Sequence, residues 1–463
     1  MSNAFAIHSP QLATWGTRCA LALLVGVSFA IVGHKILRSQ VMVDERYIES
    51  DRMENRFAVQ QEDTTSRSAV GFFLLGGTGL ACMATRPLGR PRWTHAVTFL
   101  CAAYFVWCSA SLMWSAGPEV SVRKIGILTL MLTGAYGIAH KFEVEDVCWL
   151  AVLMFGTLLV IGYLAEFALG TFRPWRGEYR FCGTVHPNDQ GVQCGLLVLA
   201  AWLAPWEATR RPWIGKALIA AGLVGLMLSK SRTALFALVA AAAVGAVLRF
   251  RGQRRVLAVA GLASILALGA IGYGFLSFGA IDATADVASM GRRQDVSSLT
   301  GRIPLWEALL HAADDRPVMG YGYGGFWTSK RILTYSQMFA WQIPHAHNAY
   351  LDLLLNVGVI GLVAYLSWML GGAGTALARF QRSNRSAELF VVCLVVFSLV
   401  SGMAESKFPE PASGAFVLFL ALATLAMRGG SAALAPTATN VQGSARFRSV
   451  EFGVGRHARP LAH

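Results

Sequence analysis

Charge is what this chain has least of. Of its 463 residues only 14% are Asp, Glu, Lys or Arg, while 55% are hydrophobic, and the mean hydropathy is +0.49. Soluble domains carry about 25% charged residues, so the composition excludes a soluble globular protein and points to a polytopic membrane protein. The formal charge of +14 is scattered through short segments between apolar runs. Loop charge and anionic lipid headgroups explain it, and with no recognition motif beside it nucleic acid is excluded as a partner. The eight cysteines never form C-x-x-C and fall mostly inside apolar runs. They read as small buried residues, not as a metal site or a disulfide scaffold. Cys182, in an outer loop, and Cys194, early in a helix, leave a disulfide open but not expected. No D-x-D occurs among the outer Asp residues, which argues against a metal-dependent nucleotide-sugar transferase. The N-terminus has no basic stretch ahead of its first apolar run and no convincing A-x-A site, so residues 13–33 are expected to form an uncleaved span.

What the chain does have is apolar runs. A spanning helix needs about 20 apolar residues, and twelve runs qualify as candidates: 13–33, 69–85, 96–114, 124–139, 147–169, 190–205, 214–229, 233–248, 256–279, 347–372, 387–404 and 413–427. With both termini cytoplasmic, the five short inner loops hold fourteen Lys or Arg and the four short outer loops hold eight, as the positive-inside rule requires. The loop 34–68, with six basic and seven acidic residues, is then periplasmic. The expectation is an all-α protein: helices 1–9 over residues 1–279, a periplasmic loop over 280–346, helices 10–12 over 347–427, and a disordered cytoplasmic tail over 428–463. Trp93, Trp114, Trp149 and Trp213, near span ends, are expected in interfacial belts.

The segment from Ala280 to Pro344 is too long for a plain connector. From Pro304 onward, Trp306, Leu309, Leu310 and Ala313 follow helical spacing, with Glu307, His311 and Asp314 elsewhere on the wheel, so an amphipathic helix on the bilayer surface is expected. Arg316-Pro317 and the glycines 320, 322, 324 and 325 then impose turns. These glycines do not make a dinucleotide site, because no strand precedes them and no helix with an acidic ribose partner follows.

Basic groups on the outer face run against the charge rule, so something must favour them. Arg173, Arg176 and Arg180 precede His186-Pro187-Asn188 at the mouth of the sixth span. Lys230-Ser231-Arg232 forms the turn between the seventh and eighth spans, and Arg302 precedes the surface helix. At about 16 residues the seventh and eighth spans would be roughly 24 Å long, shorter than a hydrocarbon core of about 30 Å, so Lys230 and Arg232 are expected to be recessed. The sixth, eighth and tenth spans also turn their N-termini, with unpaired N–H groups, to this side. Helix N-termini and arginines together suggest a doubly charged phosphate-type ligand, with a lipid-linked diphosphate the natural one at this depth. The plain alternatives are that the three loop arginines bind outer-leaflet or neighbouring acidic groups, that His345 is a loop hydrogen-bonding group, and that Glu166, Asp352 and Glu405 snorkel at span ends.

The stretch from Leu299 to Gly361 carries the most information. It holds T-G-R-I-P-L-W-E, G-Y-G-Y-G-G-F-W and H-A-H-N-A-Y-L-D-L-L-L, followed by Gly358 and Gly361. On one helix at about 100° per residue, His347, Leu354, Gly358 and Gly361 would fall within about 60° of one another, placing a histidine above two glycines where a neighbouring helix could pack. His347-Asn348, nine residues, Gly358, two residues and Gly361 resemble the signature of the O-antigen ligase and Wzy-type polysaccharide polymerase superfamily, with matching stretches from about His186 to Leu362. The blocks as a whole look most like exopolysaccharide polymerases of the ExoQ type.

The resemblance implies a polytopic fold of about 12 transmembrane helices, C-type glycosyltransferase-like, in the bacterial inner membrane with its active site facing the periplasm. It implies a metal-independent, cofactor-free inverting transfer. His347 would be the catalytic base, and Arg232, Arg302 and Lys230 would hold the diphosphate. Arg173, Arg176, Arg180, His186, Asn188, Trp306, His345 and Asn348 are further candidates for substrate contact. The implied partners are an undecaprenyl-diphosphate-linked glycan, an acceptor glycan or lipid A-core, the bilayer, and a chain-length regulator. Polymerase is the first expectation and O-antigen ligase the second. A lipid-linked glycan flippase is the alternative from another class, though it should tolerate loss of His347 and carry ionisable residues nearer mid-membrane.

Overall fold

The computed structural model describes residues 19–29, 69–85, 95–176, 179–206, 211–250, 297–339, 341–406 and 412–428, with residues 17, 252, 253, 256, 259 and 261 besides. Among the described residues the chain is helical, as a polytopic membrane protein should be. In chain order the helices are α1 (Cys19–Phe29), α2 (Ala69–Met83), α3 (His95–Ala110, extended by a tighter turn Ser111–Trp114), α4 (Pro118–Ala139), α5 (Val144–Ala168), α6 (Pro187–Leu203), α7 (Pro212–Ser229) and α8 (Arg232–Arg249). They continue with α9 (Ser297–Asp314), α10 (Ser329–Phe339), α11 (Ala349–Ser383), α12 (Ser386–Gly402) and α13 (Ser413–Met427). Among the described residues six helices are long and apolar enough to cross a membrane: α3 with its extension, α4, α5, α7, α8 and α11. Helices α1, α2, α12 and α13 are apolar but shorter. Every expected run has a helix at its centre except 256–279, which lies almost wholly outside the described residues, as do the loop 34–68, Trp93 and the tail beyond Arg428.

Local chemistry sets the ends. Helices α4, α6 and α7 each open on a proline in the first turn, where a missing N–H costs nothing. Helix α5 opens on a reciprocal cap between Glu143 and Asp146. The centre is α13, buried from Gly414 to Met427 and packed against α3, α4, α5, α6, α11 and α12. A helix apolar on every face is stable only in such a place. Of the expected belt residues, Trp213 is exposed. Trp149 instead packs edge-on against Trp206, and Trp114 donates its indole N–H to Met319 O at 3.1 Å.

Four expectations change. Helices α7 and α8 have 18 residues each, about 27 Å at 1.5 Å per residue, closer to a full span than expected. Helix α9 starts at Ser297, with Pro304 inside it. Its buried stripe is Leu305, Leu309 and Ala313, whereas Leu310 is 50% exposed. That stripe packs on protein, in a second core with Phe326, Trp327 and Ile343. Helix α10 was not expected; Ile332, Tyr335 and Phe339 pack against this second core, at spacings of three and four that mark one helical face.

The fourth change matters most. His347 is not on a helix: its φ is 52°, in the left-handed region, and Asn348 caps α11 by accepting from Tyr350 N (3.0 Å) and Leu351 N (3.1 Å). The histidine and the glycines therefore do not share a helical face. At Gly358 (φ 66°, ψ −172°) α11 is broken, in a region of backbone space open essentially to glycine alone. The neighbour that enters the break is the segment 317–321. Val359 N donates to Pro317 O at 2.9 Å and Tyr321 N donates to Leu355 O at 2.8 Å. Trp107 closes a third free group, donating Nε1 to Val357 O at 2.9 Å. Broken helices are tolerated at membrane depth only when protein satisfies the freed groups in this way.

Candidate active site

Five helix ends meet at one end of the protein: the N-termini of α6, α8 and α11 and the C-termini of α7 and α12. The α7–α8 turn presses on the first turn of α6, where a Cβ on Gly191 would collide with Ser231. Arg180 ties the preceding loop to both, donating Nε to Ser229 O at 3.1 Å and NH2 to Asn188 Oδ1 at 2.6 Å. Asn188 passes the connection on, donating Nδ2 to Glu405 Oε1 at 2.6 Å. Arg302 reaches the same place from α9, with NH1 donating to Ala404 O at 2.9 Å and NH2 3.7 Å from Glu405 Oε1.

His347 faces the other oxygen of that carboxylate. Its Nδ1 lies 3.8 Å from Glu405 Oε2, and its side chain is 17% exposed. This is ion-pair range and too long for a hydrogen bond, and neither ring nitrogen has a hydrogen-bond partner among the described residues. The ring sits between His345 (centroids 4.1 Å apart) and Trp341 (5.4 Å). His345 Nδ1 accepts from His347 N at 3.2 Å, so its observed role is that of an acceptor in the loop. Trp306 donates Nε1 to Ala346 O at 2.8 Å. Asp352 accepts from Ala346 N (3.1 Å), Trp327 Nε1 (2.7 Å) and the Ser406 hydroxyl. The backbone before His347 is thus held from α9, from α11 and from the segment after α12.

Of the candidates, Arg180, Asn188, Arg302, Trp306, His345, His347 and Asn348 come together. Lys230 and Arg232 flank Ser231 in the turn against α6; Lys230 ends α7 in a left-handed conformation (φ 52°), and Arg232 is the first residue of α8. His186 caps α6, its Nδ1 accepting from Asn188 N at 3.3 Å. Arg173 and Arg176 are not brought in. Both are exposed, and Arg173 Nε donates to Gly170 O at 3.2 Å.

The snorkelling expectation fails for all three acids. Glu166, Asp352 and Glu405 are 2%, 5% and 2% exposed. Burying a carboxylate is costly unless it is paired, and each has its partners. Glu166 accepts from Cys182 N (2.8 Å), Gly183 N (2.9 Å) and the Tyr179 hydroxyl, fixing the loop that carries Arg180. Burial, and next the charge of Glu166, push the Cys182 thiol up to about 12. Cys182 and Cys194 are both free. Glu405, which the sequence places at a span end as a snorkelling acid, is instead the carboxylate at the centre of this cluster; its signal is an acid directly after an apolar helix in S-G-M-A-E-S-K. Among the described residues no group of three or more His, Cys, Asp or Glu could hold a metal ion.

Fold and site define a helical, multi-pass membrane protein with a histidine, a buried carboxylate and arginines gathered where helix N-termini converge. Residues 217–366 match the family model described as O-antigen ligase. The chain is also similar to the exopolysaccharide production protein ExoQ of Rhizobium meliloti (strain 1021), 25% identical over 304 residues that cover 63% of this chain and 68% of that protein. Both likenesses support the resemblance to the O-antigen ligase and Wzy family, ExoQ-like in particular. The matched family segment contains Lys230, Arg232, Arg302 and His347, and ends before Glu405.

Proposed function

We propose that this chain is a glycosyltransferase that polymerises undecaprenyl-diphosphate-linked oligosaccharide repeat units into surface or exopolysaccharide. The observation that carries the reading is the partly buried imidazole of His347, with ring nitrogens free of hydrogen bonds among the described residues, beside arginines and helix N-termini that suit a diphosphate. His347 takes the proton of an acceptor sugar hydroxyl, and that oxygen attacks the anomeric carbon of the donor from the face opposite the diphosphate. The bond from anomeric carbon to diphosphate oxygen breaks, its electron pair leaves with the diphosphate, and the configuration inverts. Arg302, Arg232 and Lys230 balance the departing charge. Arg232 supports this assignment by its position, the first residue of α8 in the turn pressed against the first turn of α6.

The same reading takes the protein as a GT-C-like bundle of about twelve spans in a bacterial inner membrane, with this end facing the periplasm. The description of the matched family, O-antigen ligase, favours a second reading in which lipid A-core is the acceptor. One experiment separates them: the size profile of undecaprenyl-linked glycans, lipid A-linked glycans and secreted polysaccharide in cells with the wild-type protein, without it, and with His347→Ala. Single repeat units that persist while long polymer vanishes support polymerase. Long polymer that stays on the lipid carrier and never reaches lipid A supports ligase. Wild-type products from His347→Ala would remove both.

A further inference from the structure

We propose that Glu405 is the positioning residue of the transfer site, one carboxylate that sets the base with one oxygen and the diphosphate-side groups with the other. The inference rests on His347 being the base. Oε2 stands 3.8 Å from His347 Nδ1, while Oε1 accepts from Asn188 at 2.6 Å and lies 3.7 Å from the Arg302 guanidinium. Three segments far apart in the chain are thereby fixed relative to one another.

Packing does not explain an acid here. Glu405 N donates to Ser401 O at 3.0 Å, so the residue closes the turn just beyond α12, at the negative end of the helix dipole, where an anion is disfavoured. It is also 2% exposed, and burial adds a desolvation cost. Donors from α6 and α9 and the imidazole ahead of α11 offset both. The residues on either side are used in the same way. Ala404 O accepts from Arg302, and the Ser406 hydroxyl donates to Asp352, which in turn holds Ala346 N. Three consecutive residues after α12 thus lock the approach to His347, whose left-handed backbone must be held by its surroundings.

The chemistry follows from the orientation. A carboxylate on the Nδ1 side favours the tautomer with the ring proton on Nδ1, which leaves the Nε2 lone pair for the acceptor hydroxyl. As the acceptor O–H bond breaks and the Nε2–H bond forms, the imidazolium charge develops next to Glu405. The proton returns to solvent after the diphosphate has left. Removing the carboxylate's charge while keeping its shape should therefore slow the chemical step more than it weakens donor binding.

The test uses purified full-length protein in lipid nanodiscs with an undecaprenyl-diphosphate-linked repeat unit as donor, comparing wild type, Glu405→Gln, Glu405→Asp and His347→Ala. Glu405→Gln keeps an oxygen for Asn188, and we expect a kcat loss of roughly 100-fold with donor KM within about threefold of wild type. Glu405→Asp restores the charge at shorter reach and should recover part of the kcat. If kcat in Glu405→Gln stays within about twofold of wild type, or if both Glu405 variants lose activity only in step with their thermal stability, the inference is overturned. Inactive His347→Ala beside fully active Glu405→Gln removes this inference alone. Fully active His347→Ala removes the base assignment and this inference together.

Discussion

The indole of Trp306 donates to the carbonyl of Ala346 at 2.8 Å, so α9 holds the residue directly before His347. The bond joins a helix to the loop that carries His347, and it explains a tryptophan on a face that is only partly buried. Trp306→Phe keeps most of the ring and deletes the donor. We expect a loss of about 1 kcal/mol in stability and about tenfold in kcat, since small displacements of a reacting group are costly. Thermal unfolding and turnover measured on the same preparation check both.

Arg302 makes two directed contacts, to Ala404 O and toward Glu405. A lysine there keeps the charge and loses the fork. Arg302→Lys should retain a minority of wild-type turnover and Arg302→Ala almost none, both accumulating unused lipid-linked donor. At Arg232, the first residue of α8, the same pair should mainly raise donor KM. Wild-type kinetics in both lysine variants would exclude bidentate contact.

Gly358→Ala should be among the most damaging single substitutions in the chain. It places a Cβ in a backbone region nearly closed to other residues and against Val318 O. The expected cost is about 3 kcal/mol or more, read as a lowered melting temperature and low membrane yield. Gly374→Ala, in the same helix with open space around it, is the control and should leave both unchanged.

Cys182 supplies a pH test. Burial, and next the charge of Glu166, push its thiol up from the ordinary 9.0 to about 12, so the reactive thiolate is scarce through the neutral range. In a variant retaining Cys182 alone, maleimide labelling at pH 7 to 8 should be slow in the folded protein and fast after denaturation. Fast labelling of the folded protein would show that Glu166 and burial do not act on this thiol.

The apolar helices were legible because membrane spans announce themselves by hydropathy alone: the run 413–427 coincides with α13 to the residue. His347 and Arg302 stood out by the motifs that contain them, and the structure brings both to Glu405. What escaped depends on long-range contact. Glu405 offers only one local sign, an acid directly after an apolar helix, because its partners Asn188, Arg302 and His347 lie far away in the chain. The place of His347 was misread for a different reason. Helical periodicity runs unbroken through Ala349 and Tyr350, and only the Asn348 cap and the left-handed residue before it reveal where the helix stops. Helix α10 was hidden by its polarity, its apolar residues being spent on a small second core.

The break in α11 bears on how substrate gets in. Pro317 O is committed to Val359 N and Tyr321 N to Leu355 O around Gly358, and lifting the 317–321 segment would strand those four groups in an apolar setting. Such a seam does not swing. The glycine-rich segment is better understood as a fixed rivet than as a door, so whatever reaches His347 must do so by a route that leaves this seam closed.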